Sequence, residues 1–341
     1  MSTVADQRPS ARGSKGVVMP RIDPRSRSAP GRVRSGTRPM RKVRIVAMAD
    51  TGSGSTITDL DEIDVIWARH PVAGDGERDF LARVYRRKDL VGVLPVLISV
   101  HGGAWNHFDR TAGTLYQRAI ARAGFLVVAI DFRQGPDFQH PAASADVVAA
   151  VRWVRLQAAR LGADITSMGL LGSSSGGHLA MFAGVLPDAP FHRGTPISGD
   201  GGFAARDDLE GHVDWLVALW PVSDPYARYR YARRAGIERL TKAHERFYTD
   251  EAAMRAASVP RVVTAGEATR LPPLLVIMPG DDGNVPMDIT FDLLRAWQSR
   301  HGYVEYVHFP EEPHGFGYKP SAASTRMQDI IINFGRRMIA G

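Results

Sequence analysis

Two hydrophobic periods alternate along most of this chain. Short aliphatic runs bounded by glycine, proline or aspartate recur at Val93–Val100, Phe125–Phe132, Ser167–Gly172, Leu216–Val222, Leu274–Met278 and Tyr303–Phe309. Nearly continuous apolar runs of this length are expected of strands buried on both faces. Ile63–Trp67 and Phe80–Tyr85 predict a hairpin turning around Gly74-Asp-Gly76. Between the runs, apolar residues return at helical spacing. Pro141–Leu161 places Val147, Ala150, Val151 and Val154 on one face behind a first-turn proline. Thr111–Ala123, Gly177–Leu186, Pro286–His301 and Ala323–Ile339 predict further helices. The pattern therefore predicts an α/β domain: a mostly parallel central sheet of about eight strands with helices on both faces. From Asp224 to Leu271 the rhythm breaks into helical, charged sequence rich in Tyr and Arg. It predicts a helical insertion after the sixth strand, lying over one edge.

Charge changes the picture at one end only. Residues 1–44 hold 12 Lys and Arg against two acids, with six Ser, five Pro and four Gly, and the first aromatic of the chain is Trp67. Such a segment has too little apolar surface to offset its ordering entropy and is expected to be a disordered tail. It lacks an aromatic to stack a base, so no specific nucleic-acid partner is expected. No apolar run follows its basic residues as a secretory leader requires, and Met40 offers an alternative start. The catalytic domain is expected over 45–341. Its apolar runs all fall short of the roughly 18 residues of a membrane span. Zero cysteines among 341 residues exclude disulfides and a thiolate nucleophile, and fit a reducing, cytoplasmic setting. A homodimer is compatible with the sequence, which does not fix the assembly.

Candidate chemistry begins at Gly172-Ser-Ser-Ser-Gly176, between a predicted strand and a predicted helix. A Gly-x-Ser-x-Gly turn in that context holds its serine in a strained, exposed elbow. Only Ser174 of the three has glycine two places away on each side. Upstream, His101-Gly-Gly-Ala-Trp105 follows a strand with residues slim enough to aim backbone N–H groups at a substrate oxygen. A serine nucleophile needs a histidine to accept its proton and a carboxylate to orient that histidine. After Ser174, a strand runs into Pro279-Gly-Asp-Asp-Gly-Asn-Val-Pro286, which offers Asp281 and Asp282. The last strand runs into Pro310-Glu-Glu-Pro-His-Gly-Phe-Gly317, which offers His314. His308 lies inside a strand, His178 on the helix after the elbow, and His101 at the head of the glycine turn, where each reads as structural. Glu311 and Glu312 are too near His314 in sequence to orient it and read as solvated.

These four segments together resemble the α/β-hydrolase superfamily, especially the esterases of the hormone-sensitive-lipase group and the feruloyl/acetyl-esterase-like branch. The resemblance covers about residues 60–341. It implies an α/β-hydrolase fold and a serine carboxylesterase working on small or medium esters through an acyl-enzyme, with a small-molecule ester as partner and no metal or cofactor. It implies Ser174 as nucleophile, His314 as base, and the N–H groups of Gly102, Gly103 and Ser175 as oxyanion hole. The family spacing Asp-x-x-Val implies Asp282 as the acid. Ala104 replaces the usual third glycine and Ser175 the usual alanine. The His-Gly-Gly-x-Trp form also occurs in aryl formamidases, so an amidase is the alternative, and an inactive ligand-binding protein on the same fold is a second. Trp105 and Trp220 are expected either to line the acyl or alcohol pocket or to pack in the core. Asp131-Phe-Arg133 reads as an ion pair fixing the loop beside the glycine turn. Tyr226, Tyr229 and Tyr231 read as lid or as solvated face.

Overall fold

The computed structural model describes residues 59–72 and 76–341. The expectation of a disordered tail over 1–44, and most of the turn at residues 74–76, lie outside the described residues. In chain order the elements are β1 (Leu60–Val72), β2 (Gly76–Arg87), β3 (Leu94–Val100), α1 (Thr114–Arg122), β4 (Leu126–Ile130), α2 (Ala142–Leu156), α3 (Ala158–Leu161), β5 (Ala163–Ser173) and α4 (Ser175–Val185). Then come β6 (Pro196–Gly199), β7 (Gly202–Ala205), β8 (Trp215–Leu219), α5 (Pro225–Arg234), α6 (Glu238–Phe247), α7 (Glu251–Ala256) and α8 (Val259–Thr264). The chain closes with β9 (Leu274–Asp281), α9 (Met287–Ser299), β10 (Val304–Pro313) and α10 (Ala322–Ala340).

All ten strands form one sheet in the order β10-β9-β8-β5-β3-β4-β2-β1-β6-β7. The six from β10 to β4 run parallel, and the remaining pairings are antiparallel. The parallel centre follows from composition: every residue of β4 and β8 is buried, as strands covered on both faces must be. Helix α4 is buried along its whole length and α2 along most of it, which places both against the sheet. Helices α1 and α10 pack together in the other layer. A reciprocal capping box starts α10, Ser324 N donating to Ser321 Oγ (3.0 Å) and Ser321 N to Ser324 Oγ (2.8 Å).

The eight predicted strands are all present. Two more, β6 and β7, make the sheet ten-stranded and put the helical segment after the eighth strand. They are four-residue edge strands, and β7 is exposed throughout, so no alternation marks them. The segment 224–271 resolves into α5 to α8. It leaves from β8 and returns at β9, the third and second strands from the β10 edge, and it meets the turns that follow β3 and β9, through Phe247 on Trp105 and Arg228 on Asn284.

Five histidines lie in this packing: His101, His178, His192 and His244 fully buried, and His140 beside them. Burial pushes His140 down to about 3 and His101, His178 and His192 to about 4, and holds His244 well below its ordinary value. In the unfolded chain each titrates near 6.5. Their stabilising neutrality is complete above that value. It is lost as pH falls toward 4, because the unfolded state then binds more protons. We expect the Tm to fall steeply between pH 6.5 and 4.5 in thermal unfolding by circular dichroism; a flat Tm over that range would contradict it.

Candidate active site

Strand β5 ends at Ser173 and α4 begins at Ser175, so Ser174 alone makes the corner. Its backbone stands at φ 53°, ψ −119°, a left-handed conformation that non-glycine residues adopt only under strain. The corner is possible because its neighbours lack side chains. A Cβ on Gly172 would lie 2.1 Å from the Gly176 carbonyl oxygen, and one on Gly176 2.3 Å from that of His101. Ser173 and Ser175 are wholly buried, whereas Ser174 retains 6% exposure.

Ser174 Oγ lies 2.9 Å from His314 Nε2, and His314 Nδ1 lies 2.8 Å from Asp282 Oδ2. A carboxylate only accepts, so Nδ1 carries the ring proton and Nε2 presents a lone pair to the serine hydroxyl. Asp282 is fixed in turn: its Oδ1 accepts the N–H groups of Asn284 (2.8 Å) and Val285 (2.9 Å), and its side chain is 1% exposed. Asp281, the last residue of β9, is exposed and lies outside this chain of bonds. Gly315, at φ 79°, turns the backbone just after His314 into a 3₁₀ turn, Phe316–Tyr318. The arrangement can take a proton from Ser174 and stabilise the resulting imidazolium.

The glycine turn after β3 runs against Ser174: a Cβ on Gly102 would lie 3.2 Å from that of Ser174. Gly103, Ala104 and Trp105 follow one another in left-handed conformation, at φ 101°, 50° and 63°. The Gly103 carbonyl closes the turn by accepting from Asn106 N and His107 N, each at 3.0 Å. The Ser175 hydroxyl accepts from Trp105 N at 3.1 Å. A residue of the elbow therefore pins the turn through its side chain, a role its place in the motif does not reveal. The one signal was serine standing where alanine is usual. Ser175→Ala leaves a buried N–H unpaired, which costs about 1–3 kcal/mol. We expect a lower Tm together with a kcat reduced roughly tenfold, since the loss falls on the turn; unchanged kcat would leave the hydroxyl a packing role only.

Trp105 and Trp220 are both fully buried, so neither ring forms an exposed pocket wall. Trp105 stacks on Phe247 of α6, centroids 5.3 Å apart, with His178, His244 and Tyr248 around it. Trp220 backs the histidine loop, 5.2 Å from Phe316, 5.5 Å from Tyr318 and 6.4 Å from His314. Asp131 and Arg133 do not pair with each other. Asp131 holds Arg110 (2.9 Å), just past the glycine turn, and Arg133 holds the buried Asp146 of α2 (2.7 Å). Tyr229 donates to Glu245 and Tyr231 to the Gly283 carbonyl, while Tyr226 stacks under Arg255. Sequence reading also missed Tyr318, whose hydroxyl lies 2.8 Å from Ser173 Oγ and ties the histidine loop to the elbow. Among the described residues, no helix is long and apolar enough to cross a membrane.

A mostly parallel sheet with a strained serine elbow, an acid after a later strand and a histidine after the last defines an α/β-hydrolase. The BD-FAE family model matches residues 83–294, more than half of the sequence. The chain belongs to that family. It is 28% identical over 252 residues to esterase LipC of Mycobacterium tuberculosis, covering 73% of this chain and 59% of the relative. Over 110 residues it is 36% identical to carboxylesterase NlhH of the same organism, 32% of this chain and 34% of that one. The chain spans about six-tenths of the length of LipC and of two further curated relatives, LipQ and LipM of the same organism. Esterase B from Lactobacillus rhamnosis superposes with a TM-score of 0.65 at 19% identity, over 83% of this chain and 88% of that one, which establishes the fold.

Proposed function

We propose that the chain is a serine carboxylesterase acting on small or medium carboxylic esters. The observation that carries this reading is the continuous hydrogen-bonded chain Asp282–His314–Ser174 at the strand ends. The names of its relatives, esterase and carboxylesterase, point the same way. Ser174 Oγ attacks the ester carbonyl carbon as its proton passes to His314 Nε2, and the carbonyl oxygen becomes an oxyanion received by the N–H groups of Gly102, Gly103 and Ser175. Collapse breaks the bond to the alkoxy oxygen, which takes the proton from His314 and leaves as the alcohol. Water, deprotonated by His314, then attacks the acyl-enzyme and releases the acid and free Ser174. The chemistry asks for no metal or cofactor. The segment 224–271 serves as roof and lid candidate over the strand ends, and the cysteine-free composition suits work in the cytoplasm.

Kinetics over p-nitrophenyl esters from acetate to dodecanoate, with N-formylkynurenine alongside, test the reading. Turnover is expected on the short esters and weak turnover on the formamide. A higher kcat/KM for the formamide would favour an amidase, and inertness toward all of them would favour a binding protein.

A further inference from the structure

Arg228 of α5 is completely buried, yet among the described residues no carboxylate pairs with its guanidinium. Its Nη1 donates to Asn284 Oδ1 (3.0 Å), its Nε to His244 Nε2 (3.4 Å), and its Cζ stands 5.0 Å over the Trp105 ring. The remaining Nη2 is buried without a hydrogen-bond partner. A desolvated cation so lightly compensated is costly, whereas an aliphatic residue would complete the buried stripe Pro225, Tyr229 and Ala232 at no such cost. What sets the position apart is what it touches. Asn284 is the residue whose N–H holds Asp282 Oδ1, and Trp105 is the residue whose N–H is held by Ser175 Oγ. One side chain thus bears on the acid loop and on the glycine turn at once.

We propose that Arg228 is a positioning residue that locks the acid loop to the glycine turn, so that Asp282 and the backbone of the turn keep their places around Ser174. The inference rests on the serine-esterase reading above. The other charged or titratable groups facing Arg228 are Arg239, His244 and Tyr248 from the insertion and His178 from α4. Burial holds the two histidines well below neutrality and the tyrosine well above its ordinary value.

The test follows phosphonylation of Ser174 by a fluorophosphonate probe, which reads nucleophile activation independently of ester preference. Rates are measured over a range of probe concentrations for the wild type, Arg228→Met, Arg228→Lys and Asn284→Ala, with thermal melts of each. Arg228→Met is expected to lower the plateau rate about tenfold or more while the half-saturating probe concentration stays close to the wild type's, a split that a general loss of packing would not give. Arg228→Lys should recover only part of the plateau, and Asn284→Ala should lower it less than Arg228→Met does. A folded Arg228→Met with the wild-type profile overturns the proposal. Should that variant fail to fold, wild-type plateaus in the other two overturn it instead. If the wild type itself takes no label at Ser174, the serine-hydrolase reading fails first and the role of Arg228 falls with it.

Discussion

Ser174→Ala is expected to abolish turnover of p-nitrophenyl acetate, with a loss on the order of 10⁶ in kcat, while the protein stays folded. A hydrogen-bonded acid, base and nucleophile act as a unit, so removing the nucleophile costs nearly as much as removing all three. The fold tolerates the change because the alanine keeps its Cβ and inherits the same left-handed backbone, held by Gly172 and Gly176 on either side. Ser173→Ala is the control. Its hydroxyl meets Tyr318 at 2.8 Å and Tyr116 at 3.5 Å, behind the elbow, so its loss should loosen the histidine loop without removing the attacking atom. Retention of a tenth of wild-type kcat by Ser174→Ala, with Ser173→Ala inert, would move the nucleophile by one residue.

Asp282→Asn should reduce kcat by roughly 10⁴-fold, and Asp281→Asn by less than about tenfold. In the first variant the amide oxygen can still accept from Asn284 and Val285, which leaves the loop in place. Its NH₂ group then faces His314 Nδ1 and donates to it. That drives the ring proton to Nε2, toward Ser174, where a base is needed and a donor is of no use. Asp281 is exposed at the end of β9, so its amide changes only a surface charge. Measuring kcat/KM for both variants on one p-nitrophenyl ester decides the matter; equal losses, or a larger loss at Asp281, would overturn the assignment.

The parallel half of the sheet was legible in the sequence because strands covered on both faces carry unbroken aliphatic runs, as Leu126–Ile130 does. The edge hairpin β6–β7 was not: Pro196-Ile-Ser-Gly199 carries no alternation, and it meets the sheet through one pair, Ala68 with Ile197. Strand β5 starts earlier than its apolar run because Ala163 and Asp164 pair with Leu94 and Pro95 through backbone alone. The residues Ser174, Asp282 and His314 stood out because each sits in a local motif whose spacing survives without coordinates. The Ser175 hydroxyl, Tyr318 and Arg228 did not, since each acts on a segment far away in sequence. Even so, an arginine on the buried stripe of α5 was a signal that hydrophobic patterning alone passes over.

Segment 224–271 joins β8 to β9, parallel neighbours that cannot be linked by a tight turn. It is therefore the obligatory crossover between these two strands as well as the segment that meets the turns after β3 and β9. Its parts are unequal in this. Helix α8 buries Val259, Pro260, Val262 and Val263 and packs against α4 and α9, whereas α7 buries only Met254. A swap between relatives that aims to change substrate range has natural joints after Asp224 and before Ser258, which bond to each other at 2.7 Å. Those joints leave α8 behind as a fixed hinge post. Cutting at Leu271 instead would take out a piece of the core, and the graft would fail as a fold before it could be judged as an enzyme.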